Sequence, residues 1–239
     1  MTNIEQNIAA VLQRIQLSCQ KAGRNGDDVM LLAVSKTVSP DAIREAIAAG
    51  QRDFGENYIA EGVEKIAALA AETAQYGLQW HCIGPVQSNK TRLVAQHFDW
   101  VHTIDRLKIA ERLNEQRPAD AARLQVCIQV NIDNSPSKSG ISPDEVLALA
   151  QLIAKLPRLQ LRGIMAIPDI PANISDDVTI NNIAAQAIFT PAKAIFDHLN
   201  ALNFQLDTLS IGMSADLEPA IAAGSTMVRV GSAIFGSRA

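Results

Sequence analysis

The sequence predicts an α/β protein folded as a single (β/α)8 barrel with an extra helix at its N-terminus. Strand-like and helix-like segments alternate along all 239 residues, and such alternation predicts a parallel sheet. Eight strand–helix units favour a closed barrel over the alternative, an open doubly wound sheet. Since no linker rich in Pro, Gly or Ser divides the chain, we expect one domain over residues 1–239.

The first element is an amphipathic helix over residues 2–22. Its apolar side chains recur at helical spacing, at Ile4, Ile8, Val11, Leu12, Ile15 and Cys19. Candidate strands follow near residues 29–35, 52–55, 79–83, 99–103, 124–132, 160–167, 207–211 and 226–230. Helices are predicted near residues 40–49, 57–74, 89–97, 105–116, 143–155, within 180–202 and at 214–223.

Capping residues mark several helix boundaries. The segments 39–41 and 142–145 both begin Ser-Pro-Asp, and the second adds the glutamate of a capping box. Gly50 and Gly224 each follow an alanine-rich helix, where a C′ glycine is expected. Residues 168–182 are polar and interrupted by prolines, which predicts a long surface loop.

Composition excludes several classes of protein. The net charge is −4 and the basic residues are scattered, so we expect no nucleic-acid partner. No apolar stretch is long enough to span a bilayer, and the N-terminus lacks the apolar core of a signal peptide. The three cysteines are expected to be buried reduced thiols of a cytoplasmic protein. The four histidines show no metal-ligand spacing, so no metal site is expected.

Lys36 is the first candidate for chemistry. It follows the apolar run 29–35 and precedes the helix start at Ser39, so it lies on a strand-to-helix turn. Barrels and open α/β sheets place their chemistry at such turns. A desolvated lysine there can attack a carbonyl carbon. On position alone, however, a solvated lysine at a strand end is the simpler interpretation.

Two loops near the C-terminus could bind an anion. The segments 210–216 and 228–232 follow the last two predicted strands and carry Gly212, Ser214, Gly231 and Ser232. Barrels often hold a phosphate at these loops, although glycines and serines also make ordinary turns. His81 ends another strand, where it could contact a ligand or serve as a hydrogen-bonded structural histidine. Lys90 and Lys138 follow strands that should open at the same rim.

Four motifs together resemble the pyridoxal phosphate (PLP) homeostasis proteins, from about residue 4 to residue 236. The motifs are Leu31-Leu32-Ala33-Val34-Ser35-Lys36-Thr37, Phe54-Gly55-Glu56-Asn57, His81-x-Ile83-Gly84-Pro85-x-Gln87-x-Asn89-Lys90 and Gly212-Met213-Ser214-x-Asp216-x-Glu218. The resemblance implies the barrel of the alanine racemase N-terminal domain with PLP as its cofactor. The departure from the family is residues 168–190, where the family usually runs on to a charged helix with an aromatic residue and an Asn- and Ile-rich segment intervenes here.

The resemblance also implies roles for individual residues. Lys36 would be the Schiff-base lysine, and Arg229 would face the pyridine nitrogen. Gly231 and Ser232 would bind the phosphate, together with the preceding loop. The implied cofactor-binding set is Lys36, Asn57, His81, Ser210, Met213, Ser214, Arg229, Gly231 and Ser232. An arginine cannot give up its proton, so the ring nitrogen stays unprotonated and the ring is a poor electron sink.

The implied function is cofactor supply rather than catalysis. Alanine-racemase-like enzymes carry a second domain whose tyrosine is a catalytic base, and we expect that domain to be absent here. We therefore expect no catalytic residue, a monomer in the cytoplasm, and PLP-dependent apo-enzymes as candidate partners. The alternatives are a PLP-dependent racemase or lyase acting on small amino acids and, more remotely, a barrel aldolase that uses Lys36 on a sugar phosphate.

Overall fold

Eight parallel strands close into a barrel in sequence order, because β1 pairs with both β2 and β8. The computed structural model describes residues 3–133, 135, 139–169 and 178–236, with the backbone alone for residues 178–185. The strands are β1 Met30–Val34, β2 Asp53–Glu56, β3 Gln79–Cys82, β4 Trp100–Ile104, β5 Leu124–Gln129, β6 Leu159–Met165, β7 Thr208–Met213 and β8 Met227–Val230. The predicted closed barrel is confirmed, and the open sheet is excluded.

Helices connect the strands and cover the barrel. They are α1 Ile4–Lys21, α2 Pro40–Ala48, α3 Ile59–Ala68, α4 Ala70–Tyr76, α5 Thr91–His97, α6 Leu107–Gln116, α7 Val146–Ile153, α8 Val178–Ala201, α9 Leu217–Ala222 and α10 Ser232–Phe235. Short 3₁₀ turns occupy Gly26–Asp28 and Pro143–Glu145. The helix predicted at residues 57–74 is divided at Leu69.

The loop predicted at residues 168–182 extends too far. Helix α8 begins at Val178, inside the predicted loop. Apolar residues at helical spacing start there, although the polar composition had indicated a loop up to residue 182. Residues 170–177 lie outside the described part of the chain.

The predicted caps are present. The Ser39 hydroxyl oxygen accepts a hydrogen bond from the Ala42 N–H at 3.3 Å, and Ser142 and Glu145 form a capping box. Gly50 and Gly224 end their helices at φ angles of +96° and +103°, a backbone region that favours glycine. Local sequence therefore sets where α2, α7 and α9 start or stop.

Helix α1 packs against the last elements of the barrel. Its buried face consists of Ile4, Ile8, Val11, Ile15, Ser18 and Cys19. Asn7 donates to the Ile234 carbonyl oxygen at 2.8 Å, and Arg14 donates to the Ser214 carbonyl oxygen at 3.1 Å and to the Glu218 carboxylate. The extra helix thus supports the segments that follow β7 and β8.

The described residues contain no helix long and apolar enough to cross a membrane. Nor do they group three or more His, Cys, Asp or Glu side chains in a way that could hold a metal ion. Cys19, Cys82 and Cys127 are buried free thiols. Burial raises the pKa of the Cys82 thiol to about 12, which keeps it protonated at neutral pH.

Candidate functional site

Within the described part of the chain, two cavities open at the C-terminal ends of the strands, the end at which barrels carry their binding sites. The larger, of about 450 Å³, lies where β1 and β8 end side by side. Its described lining is Val34, Lys36, Thr37, Val38, Ser39, Ala42, Gly231, Ser232, Phe235 and Gly236. The smaller, of about 230 Å³, follows β2 to β6 and includes Asn57, Gly84, Thr103 and Gln129 in its lining.

Closure of the barrel brings Lys36 next to Gly231 and Ser232, which are distant from it in sequence. Lys36 is half-buried two residues beyond the end of β1, and Gly231 directly follows β8. A Cβ atom on Gly231 would lie 3.1 Å from the Val34 carbonyl oxygen. Glycine therefore keeps the backbone open at this wall of the larger cavity.

The turn that carries Lys36 is held in an unusual conformation. Thr37 has a φ of +63°, in the left-handed region that costs an ordinary L-residue roughly 1–2 kcal/mol. Its N–H donates to Glu61 Oε1 at 2.6 Å. This contact ties the residue after Lys36 to helix α3.

A buried ionic cluster holds the residue before Lys36. Lys65 Nζ donates to the Ser35 carbonyl oxygen at 2.6 Å, to Glu56 Oε1 at 2.9 Å and to Glu61 Oε1 at 2.5 Å. The Ser35 hydroxyl donates to Glu56 Oε1 at 2.6 Å. Burial raises the pKa of Glu56, and the bonds from Ser35 and Lys65 oppose that rise. The Lys36 segment is therefore fixed on both sides.

Arg229 is buried and lies outside the described linings of both cavities. It lies on β8, two residues before Gly231 in the sequence. Its Nη1 donates to the Ser210 carbonyl oxygen at 2.6 Å and to Ser210 Oγ at 2.8 Å, and its Nη2 donates to the Ala166 carbonyl oxygen at 3.1 Å. Burial lowers the pKa of Arg229 to about 10, so the guanidinium stays charged at neutral pH.

The end of β7 and the loop that follows it lie outside the described lining of the larger cavity. Met213 is 39% exposed, and its N–H donates to the Asp216 carboxylate. Gly212 has a φ of +92°, which makes the sharp turn possible. Ser214 is half-buried, and its carbonyl oxygen is occupied by Arg14.

His81 and Ser210 differ from their expected place at the mouth. Both are fully buried inside the barrel. His81 bonds to Asp53 and His102 through its two ring nitrogens, and the Ser210 hydroxyl contacts Arg229 and His102. Their side chains point into the barrel interior, so neither has surface available to a ligand in the mouth. Of the two interpretations of His81, the structure supports the hydrogen-bonded histidine.

The remaining described candidates, Asn57 and Lys90, follow β2 and β3. Asn57 lines the smaller cavity, where its Oδ1 atom is buried and has no hydrogen-bond partner among the described residues. Lys90 precedes helix α5 as its N-cap residue. Lys138 lies outside the described residues.

Sequence comparison identifies the family. The sequence profile of the alanine racemase N-terminal domain matches residues 6–239. A pyridoxal phosphate homeostasis protein of Vibrio cholerae is 54% identical over 238 residues, covering 100% of this chain and 98% of that protein. One from Escherichia coli is 53% identical over 240 residues, with the same coverage. The chain belongs to the pyridoxal phosphate homeostasis protein family. The family indicated by the four sequence motifs is thereby confirmed.

Solved structures give the same fold. PipY of Synechococcus elongatus with PLP bound is 34% identical, with a TM-score of 0.79 over 98% of this chain and 100% of that one. The alanine racemase of E. faecalis is 16% identical, with a TM-score of 0.67 over 99% of this chain and 59% of that one. At this low identity, the likeness to the racemase shows the barrel fold alone.

Proposed function

We propose that this chain binds PLP in the larger cavity and buffers or supplies it inside the cell, without catalytic turnover of its own. We further propose that it acts as a cytoplasmic monomer and that PLP-dependent apo-enzymes receive the cofactor. The observation that supports the site is the meeting of Lys36, Gly231 and Ser232 on one cavity wall. PLP in the related PipY structure is consistent with this proposal.

The residues present fit the chemical groups of PLP. When bound, PLP supplies an aldehyde carbon with which an unprotonated amine can condense, with loss of water. Lys36 provides the amine, with Val34 and Val38 as apolar neighbours in the cavity. The cavity volume of about 450 Å³ lies within the range of roughly 300–1,000 Å³ that small-molecule sites occupy.

Gly231 and Ser232 suit a phosphate group. The first N–H groups of a helix have no acceptor within that helix, and Ser232 is the first residue of α10. Its hydroxyl adds a further donor. Because Gly231 has no side chain, the phosphate can approach the backbone closely.

Arg229 suits the ring nitrogen. A guanidinium donates hydrogen bonds and accepts none, so it would bind the unprotonated nitrogen. Ser210 and Ala166 already orient this side chain through their carbonyl oxygens. A donor that keeps its proton leaves the nitrogen neutral and weakens the ring as an electron sink.

We expect replacement of Gly231 with alanine to weaken PLP binding about 2- to 10-fold, the equivalent of one hydrogen bond. The added Cβ atom would crowd the Val34 carbonyl oxygen and the phosphate position. The control is Gly26→Ala, because a Cβ there meets Gln16 at an ordinary 3.5 Å, away from the mouth. Absorption titration with PLP measures both variants. Equal affinities would place the phosphate elsewhere.

We expect no appreciable racemization of alanine or serine. Among the described residues that line the larger cavity, Lys36 is the only titratable side chain, and racemization requires a base on each face of the substrate. The measurement is turnover by purified PLP-loaded protein. Rates within about 1–10³ per second, those of ordinary enzymes, would support the racemase alternative instead.

A further inference from the structure

We infer that Asp53, His81 and His102 form a chain of positioning residues that orients Arg229, through Ser210, from the opposite end of the barrel. The inference rests on the proposed function, because it concerns the arginine that we assign to the PLP ring. It adds three residues that never approach the cofactor but set the geometry of the residue that does.

The contacts form one continuous chain of hydrogen bonds through the barrel interior. Arg229 Nη1 lies 2.8 Å from Ser210 Oγ, and Ser210 Oγ lies 3.1 Å from His102 Nδ1. His102 Nε2 lies 3.0 Å from His81 Nδ1, and His81 Nε2 lies 3.1 Å from Asp53 Oδ1. These residues come from β8, β7, β4, β3 and β2 in turn.

The hydrogen bonds of this chain all run in one direction, with each residue donating to the next from Arg229 to Asp53. Arg229 can only donate, so Ser210 Oγ accepts from it and directs its own proton to His102 Nδ1. His102 then carries its proton on Nε2 and donates to His81 Nδ1, which in turn leaves His81 to donate from Nε2 to the Asp53 carboxylate. Every group is satisfied with both histidines neutral. Burial, the neighbouring His81 and the charge of Arg229 lower the pKa of His102, which agrees with a neutral His102 ring.

The chain of hydrogen bonds begins at the N-terminal ends of the strands and continues through the barrel interior to Arg229. Asp53 is the first residue of β2, at the N-terminal ends of the strands, and its side chain is 20% exposed. His81, His102 and Ser210 are fully buried. The Trp100 ring stacks on His81 with centroids 5.1 Å apart and planes 12° apart, which limits movement of that imidazole.

The Asp53 carboxylate, at one end of this chain of hydrogen bonds, determines the tautomers of His81 and His102. A carboxylate at His81 Nε2 requires a proton there, and each following group then has a single consistent assignment up to Ser210. With the opposite tautomer, Ser210 Oγ would accept from both His102 and Arg229, and the Ser210 hydroxyl proton would lose His102 as its acceptor. Asp53 thereby stabilises the arrangement in which Ser210 accepts from Arg229 and donates to His102.

The test compares Asp53→Asn with Asp207→Asn. The first change keeps an oxygen acceptor and nearly the same side-chain size, but it removes the negative charge. Asp207 also lies at the N-terminal ends of the strands, directly before β7. It pairs with Arg162 and makes no direct contact with Asp53, His81 or His102. Absorption titration gives the PLP Kd of each variant, thermal unfolding reports stability, and ring ¹⁵N NMR shifts report the histidine tautomers with and without PLP.

We expect Asp53→Asn to raise the Kd about 3- to 30-fold, as for coupling through a contact network, and to alter the tautomer signals. Asp207→Asn should leave both unchanged. PLP should also shift the signals of His102 in the wild-type protein, because coupling between two sites is reciprocal. A folded Asp53→Asn variant with unchanged affinity would overturn the inference.

A proton on Nδ1 of His102 in the wild-type protein would overturn the inference as well, even if Asp53→Asn fails to fold. Failure of the wild-type protein to bind PLP would overturn the proposed function first. That outcome is visible before any variant is compared, so the two failures are distinguishable.

Discussion

Replacing Lys36 with alanine is expected to abolish covalent attachment of PLP and to weaken its binding by about 10- to 150-fold, the equivalent of one strong charged hydrogen bond. The cavity contains no other titratable side chain among its described lining residues, so no second amine there can replace Lys36. Contacts at Gly231, Ser232 and Arg229 should retain part of the PLP non-covalently. The measurement combines visible absorption with the mass of protein reduced by borohydride.

Lys90→Ala is the matched control, since Lys90 also follows a barrel strand but lies outside the linings of both cavities. It should keep the covalent adduct and the affinity of the wild-type protein. Loss of the adduct in Lys90→Ala, or its persistence in Lys36→Ala, would contradict the assignment of Lys36.

Replacing Lys65 with methionine is expected to lower the free energy of unfolding by about 3–5 kcal/mol, as for a broken buried ion pair. The Lys65 and Glu56 side chains are 6% and 0% exposed, so the variant would leave a buried carboxylate without its cation. The Lys36 turn would also lose its anchor at Ser35. Urea unfolding measures the change.

The effect of Lys65→Met should depend on pH. The folded-state pKa of Glu56 is already raised by burial, and removal of Lys65 should raise it further. A carboxyl group whose pKa is higher in the folded state destabilises the fold as pH rises through that pKa. The variant should therefore lose more stability at pH 7 than in mild acid.

Two further variants test the cause. Lys193→Met removes an exposed pair with Asp197 and should cost at most about 1 kcal/mol. Adding Glu56→Gln to Lys65→Met should recover part of the loss, because it removes the unpaired charge. Equal losses in Lys65→Met and Lys193→Met, or no recovery in the double variant, would contradict a structural role for the cluster.

The sequence predicted the barrel and placed Lys36 and Gly231 after its first and last strands; that these two residues meet has a topological reason. Short apolar runs identified the strands, and barrel closure then required the first and last strands to pair. Residues directly after β1 and β8 must therefore be neighbours at the mouth. Caps such as Ser39 placed the helices by local chemistry that needs no knowledge of the fold.

The interior of the barrel could not be predicted in the same way. Both faces of a parallel strand in this fold are buried, so alternation does not reveal which side chains point inward. His81 and Ser210 were expected at the mouth for this reason, and His102 was not singled out. Glu61 and Lys65 have the i,i+4 spacing of an ordinary surface pair, and only packing of α3 against β2 buries that lysine.

The most direct test of the central claim is the site of covalent PLP attachment in the wild-type protein. Purified protein loaded with PLP is reduced with borohydride, digested and mapped by mass spectrometry. The proposed site predicts the pyridoxyl group on the peptide that contains Lys36. A pyridoxyl group found only on another lysine, Lys90 and Lys138 included, would contradict it.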